Sequence, residues 1–141
     1  MSDLLVEYLN YVPSDLKNIC HQWMTEYETN HAVKCNYKKF SIIAKSNDEE
    51  IIGILLGYTA FEEIYIEDIC VKSRHRNKGI GTKLLKNVEK KFVNRGYNNI
   101  NLVTSSFQAV EFYKKYGFKI EFIRENKQNP KFTKTFFIKY I

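Results

Sequence analysis

Two hydrophobic periods alternate along this chain. Residues 40–45 and 51–60 are β-branched and aromatic runs of strand length flanking a polar stretch, 46–50, so they predict a hairpin whose second strand is interrupted by Gly53 and Gly57. A short turn over 61–63 leads into a third strand, 64–71, reading Ile-Tyr-Ile-Glu-Asp-Ile-Cys-Val. The period then lengthens. Ile80, Leu84, Leu85, Val88 and Phe92 share one face of a helix expected from Gly79 to about Asn94, with Gly96 as its stop. A strand over 98–104, a short helix over 108–116 closed by Gly117, and strands over 118–124 and 132–140 complete the pattern. Upstream, residues 4–10 are apolar enough for a first strand, although their alternation is imperfect. Pro13-Ser14-Asp15 starts a helix in which Leu16, Ile19, Cys20, Trp23, Met24 and Tyr27 form a stripe expected to pack into the core. That helix should fade between residues 30 and 34, and whether a second short helix follows stays open. With no repeats and no dividing linker, the alternation predicts a single α/β domain over residues 1–141, a mixed sheet with helices on both faces.

The junction at residues 72–82 carries the chemistry. A strand passes through a basic turn into Gly79 and Gly81, and a helix begins at once, so unsatisfied N–H groups and the positive end of the macrodipole face the turn. Glycines there remove the Cβ atoms that would hold a phosphate off the backbone. Charge points the same way. Residues 72–95 hold nine Lys or Arg against Glu89 alone, whereas the rest of the chain is slightly acidic, so the net +6 is concentrated beside this turn. Lys86, Lys90 and Lys91 read as a solvated helix face. The turn cations, Arg76 and Lys78 above all, suit a polyanionic ligand. His75 reads as a phosphate donor or as an exposed loop residue.

Arg76-Asn77-Lys78-Gly79-Ile80-Gly81 resembles the Arg/Gln-x-x-Gly-x-Gly/Ala signature of the GNAT superfamily of N-acetyltransferases. The segment from Glu67 to Lys86 is similar to spermidine/spermine acetyltransferases and, less closely, to streptothricin acetyltransferases. A second stretch, from Gln108 to Phe118, resembles the family's Ala-x-x-Phe-Tyr-x-x-x-Gly-Phe segment at Ala109, Phe112, Tyr113, Gly117 and Phe118. The resemblance is strong over residues 51–124. It implies a mostly antiparallel sheet and acetyl-CoA as co-substrate, held by Arg76, Asn77, Lys78, Gly79, Ile80, Gly81 and Thr82 at the loop. Backbone groups of Ile69, Cys70 and Val71 would hold the pantetheine arm and polarise the thioester. Ser106 stands where the family usually has Asn, which puts one hydrogen bond to that arm in question.

Moving an acetyl group from a thioester to an amine requires a neutral amine, a polarised carbonyl and a proton for the departing thiolate. Glu67 and Asp68 lie in a strand whose neighbours mark it as buried, where carboxylates are disfavoured, so they read as site residues. By resemblance Glu67 receives the amine proton through water, and both carboxylates meet a cationic acceptor. Neighbouring strand residues face opposite ways, so only a bulge would bring the two into one pocket. Tyr113 matches the Tyr placed near the cofactor sulfur and is the candidate general acid. Cys70 has no sequence-adjacent His to activate it as an acyl carrier, which favours direct transfer.

Composition narrows the remaining choices. Cys20, Cys35 and Cys70 have no metal-ligand or paired spacing and read as free, partly buried thiols, so no metal is implied. No run is long and apolar enough to span a membrane, the N-terminus is not a signal peptide, and a cytoplasmic location is the default. The aromatics do not interleave with the cations, which argues against nucleic-acid binding. The expected acceptor is a primary amine of a small cationic molecule, such as a polyamine or an aminated antibiotic. A protein lysine or N-terminus, or an acyl-CoA-binding role without catalysis, are the alternatives. Homodimers through the C-terminal strands are common in the family.

Overall fold

In the computed structural model, which describes residues 3–141, the chain runs through α1 (Leu16–Asn30), β1 (Lys38–Lys45), β2 (Ile51–Ala60), β3 (Glu63–Val71), α2 (Ile80–Phe92), β4 (Asn99–Ser105), α3 (Val110–Lys115), β5 (Lys119–Arg124) and β6 (Lys134–Tyr140). Its contacts divide it into two compact units, one ending at Cys35 and the other starting at Asn36.

The second unit carries the sheet, in the order β1-β2-β3-β4-β6-β5. Every neighbouring pair is antiparallel except β3 and β4, which run parallel. The expected hairpin is β1 with β2, closed by Ser46 and Glu50 through a backbone hydrogen bond of 2.9 Å. Alternate residues of β2, namely Gly53, Leu55, Gly57 and Thr59, are buried on the face that receives α2. From the helix side Leu84, Leu85 and Val88 are buried, as the 3.6 period predicts, and each such burial contributes about 1.5–3 kcal/mol. Ile64, Ile100, Leu102, Phe118 and Phe137 extend the same core across β3 to β6.

The unit ending at Cys35 departs from expectation in two respects. Residues 4–10 form no strand, and Leu4, Leu5 and Val6 are all largely exposed. Leu4, Val6 and Tyr8 could share one face of a strand, but a strand also needs a pairing partner, which the run by itself does not supply. The helix appears where the Pro-Ser-Asp signal put it, but none of its residues is buried, and Trp23, Met24 and Tyr27 are exposed. The stripe is therefore not core. The question left open by the sequence is answered as well: no second helix follows α1, and a left-handed Ala32 turns the chain out of it.

Two smaller corrections concern the rest of the chain. Helix α2 stops at Val93, whose extended backbone breaks the ladder, and Gly96 sits in the turn beyond. All three cysteines are free, but Cys20 and Cys70 are exposed rather than partly buried.

Candidate active site

The site is built where β3 parts from its parallel neighbour. β3 pairs with β4 only from Glu63 to Tyr65, although it continues to Val71. A register shift in β2 against β3 explains the departure. Gly57 stands opposite Ile66 and Leu56 opposite Asp68, which leaves Glu67 as an extra, unpaired residue. Such a bulge bends a strand and increases its twist, turning the second half of β3 away from β4. The condition set by the sequence for using both carboxylates is met. Asp68 stands beside Leu56 on the exposed side of the sheet, and Glu67 is close enough to Tyr58 on that side for its charge to raise the Tyr58 phenol, after burial itself. Both carboxylates are exposed, so the expectation of buried carboxylates is corrected: the bulge lifts them out of the packed layer.

Beyond Val71 the chain makes a single 3₁₀ turn, Ser73–His75, and then the glycine loop. Arg76 Nε donates to the Val71 carbonyl at 3.1 Å, pinning the loop to the end of β3. Asn77 and Gly79 both have left-handed backbones, with φ of 60° and 80°. Gly79 is the residue before α2, and no side chain caps that helix end, so its first N–H groups point into the loop. A Cβ on Gly79 would meet nothing within 4 Å, because the space beside it is open. Gly81 differs: its Cβ would lie 3.1 Å from Cζ of Phe112, so this glycine lets α3 approach α2.

A cavity of about 530 Å³ lies between the loop, the far end of β3 and α3. Nine residues expected from the sequence line it: Ile69, Val71, Arg76, Asn77, Gly79, Ile80, Gly81, Thr82 and Tyr113. Others lie elsewhere. Lys78 and Cys70 are not part of the lining, and Ser106 is tied by its amide and hydroxyl to the Thr133 carbonyl at 2.9 and 3.2 Å. His75, Ala109 and Phe112 line the cavity as well. Ala109 and Phe112 were legible as motif positions but not as walls, because their place depends on how α3 docks.

Tyr113 is 8% exposed, with its ring against Phe112, Phe118 and Phe137 at centroid distances of 5.1, 5.8 and 5.7 Å. Burial pushes its phenol up to about 12, with smaller contributions from Cys70 and Asp68. The charges near the loop are unevenly used. Lys72 is paired with Glu50, whose carboxyl it holds below the usual value, and Glu89 is taken up by Lys139 from β6. The one acidic residue of the basic stretch is thus engaged outside that stretch.

These features define a class, and comparison with known proteins agrees. The chain belongs to the acetyltransferase (GNAT) family, whose model matches residues 6–118. It is 38% identical over 80 residues to a thialysine N-epsilon-acetyltransferase of Mus musculus, covering 52% of this chain and 47% of that protein. The matched region spans about half the length of the curated relatives. An acetyltransferase of Bacillus cereus has the same fold, with a TM-score of 0.79 and 24% identity over 96% of this chain and 98% of its own. A GNAT family acetyltransferase of Elizabethkingia anophelis, solved with acetyl-CoA bound, superposes with a TM-score of 0.64 at 26% identity, covering 91% and 85%. Among the described residues no helix is long and apolar enough to cross a membrane.

Proposed function

We propose that this chain is an acetyl-CoA-dependent N-acetyltransferase that moves the acetyl group directly to a primary amine of a small molecule. The observation that carries this reading is the cavity bounded by an uncapped helix N-terminus at one end and by Tyr113 at the other. Its volume is in the range of pockets that enclose a small organic ligand, roughly 300–1,000 Å³. The open space beside Gly79 is a cradle that any Cβ would begin to fill. Acetyl-CoA supplies an acetyl group already activated as a thioester.

The chain's own groups divide the remaining work. The α2 N-terminus and Arg76 would hold the pyrophosphate, and the edge of β3 left bare by β4 offers backbone groups from Ile69 to Val71 to the pantetheine and the carbonyl. The cavity is walled by Ile69 and Val71, whereas Asp68 belongs to the exposed side of the strand. Donor and acceptor would therefore approach from opposite sides and meet beside the bulge. Glu67 receives the amine proton through water, and Asp68 attracts the cationic acceptor. A phenol at about 12 lies roughly three units above a solvated thiol, so full proton transfer to a solvated thiolate runs uphill. Tyr113 acts instead as a neutral donor that hydrogen-bonds the sulfur as charge gathers there, between apolar walls that raise the thiol as well.

Calorimetric titration with acetyl-CoA, followed by thiol release with a panel of amines, tests the reading. Acetyl-CoA binding with amine-dependent thiol release is the expected result. Absence of binding by a folded protein overturns it.

A further inference from the structure

Both ends of the glycine loop are fixed to the same two residues of β2. At its start, Val71 stands opposite Gly53 in the register of β2 and β3, and the Lys72 amide donates to the Ile52 carbonyl at 2.8 Å. At its end, Ile80, the first residue of α2, comes down onto Gly53. A Cβ at residue 53 would lie 2.8 Å from Cγ2 of Ile80, well inside the roughly 3.5–4.0 Å of an ordinary carbon contact. Ala44 and Leu84 hem in the same point at 3.3 and 3.4 Å.

Gly53 is buried in mid-strand and does not have a left-handed backbone, so what its position requires is the absence of a side chain. A glycine inside a strand weakens it and marks a close approach by something else. Here that is the first turn of α2. The obstacle is also stiff: Cγ2 branches from the Ile80 Cβ, and a β-branched residue in a helix keeps essentially one rotamer. A methyl group at residue 53 would therefore lift the start of α2 instead of turning one side chain aside. Val71 and Ile80 both line the cavity, one from each end of the loop, whereas Gly53 does not.

We infer that Gly53 is a positioning residue for the diphosphate of the co-substrate. By admitting Ile80 it sets how far the N-terminus of α2 stands from the end of β3, and hence the span across which the loop must hold its ligand. This rests on the function proposed above and deepens it.

Nuclear magnetic resonance titrations of the full chain with acetyl-CoA and with S-acetylpantetheine, which lacks the diphosphate, separate positioning from packing. Gly53→Ala should raise the Kd for acetyl-CoA by about tenfold or more and leave that for S-acetylpantetheine within about twofold. General loosening of the fold would weaken both alike. Ile80→Ala deletes the obstructing methyl group, so Gly53→Ala added to Ile80→Ala should bind acetyl-CoA as tightly as Ile80→Ala alone. That pair of variants carries the test if Gly53→Ala by itself does not fold. Unchanged acetyl-CoA affinity in folded Gly53→Ala, an equal loss for the two ligands, or a further loss in the double variant overturns the role of Gly53 and leaves the acetyltransferase reading intact. Failure of the folded parent to bind acetyl-CoA overturns both.

Discussion

A Cβ added to Gly81 would lie 3.1 Å from Cζ of Phe112, so the second glycine of the loop is where α3 rests against α2. A Cβ on Gly79, two residues earlier, would meet nothing within 4 Å, but the φ there is 80°. The two glycines therefore serve different ends.

Substituting them should separate packing from ligand approach. Gly81→Val forces the Phe112 ring and α3 to shift, and overpacking of this kind costs about 1–3 kcal/mol. The melting temperature should fall even without acetyl-CoA. Gly79→Ala meets no clash, but left-handed backbone costs an ordinary residue about 1–2 kcal/mol, and its methyl group enters the open cradle. Acetyl-CoA affinity should drop by about tenfold or more, equivalent to 1.4 kcal/mol. Paired calorimetry and thermal melts check both.

Tyr113→Phe keeps the ring among Phe112, Phe118 and Phe137, so the fold and acetyl-CoA affinity should barely change. A hydrogen bond to developing charge, made only in the transition state, lowers kcat and kcat/KM together, here by ~10²–10³-fold. Tyr116→Phe is the control. The Tyr116 ring lies under the Lys139 ammonium at 4.1 Å and its carbonyl accepts from Lys139, and neither contact uses the hydroxyl. Its kinetics should match the parent. Two near-parental variants would return Tyr113 to a packing role.

Alkaline pH should weaken the fold through the same phenol. With a folded-state value of about 12 against roughly 10 when unfolded, Tyr113 keeps its proton longer in the native state. Its contribution is whole below pH ~10 and is lost as pH rises from there toward 12, amounting to about 2–3 kcal/mol. Urea unfolding across that window should show a steeper fall for the parent than for Tyr113→Phe.

The two carboxylates at the bulge should respond differently to pH. Glu67→Gln removes the proton acceptor and should reduce kcat/KM most at low pH, where the amine is protonated, whereas Asp68→Asn should chiefly raise KM for a cationic acceptor. Equal losses that do not vary with pH would make both residues structural.

The bulge itself can be tested through Gly57. A Cβ there would come within 2.6 Å of the Tyr65 carbonyl oxygen and 2.7 Å of the Phe40 ring, so Gly57→Ala must displace β3 just before Glu67. Activity should fall more than tenfold with loss of stability, measured on the fraction that remains folded.

Much of the second unit was legible because its signals are local. Strand β2 and the buried stripe of α2 follow from periods of two and 3.6, and the loop announced itself by cations and glycines in adjacent positions. Acetyl-CoA as co-substrate could likewise be inferred from the glycine loop and the Phe112-Tyr113 segment by resemblance, since each is contiguous in sequence. In the first 35 residues the same local reading found α1 but misjudged the strand and the burial of the helix. A hydrophobic run at 4–10 and a helical stripe at 16–27 show which residues can be buried, but burial needs a partner surface that periodicity does not contain. The site's decisive features were nonlocal too. Whether Glu67 is extra depends on how β2 and β3 register, and why Gly81 must be glycine depends on Phe112, 31 positions later. The ring contacts of Tyr58 with Tyr65 and Tyr37 were likewise invisible in sequence, because the three residues belong to separate segments that only strand pairing sets side by side. Sequence determined which segments would form and which chemistry they carried; register and helix docking, whose energies come from contacts between distant residues, decided which groups share a site.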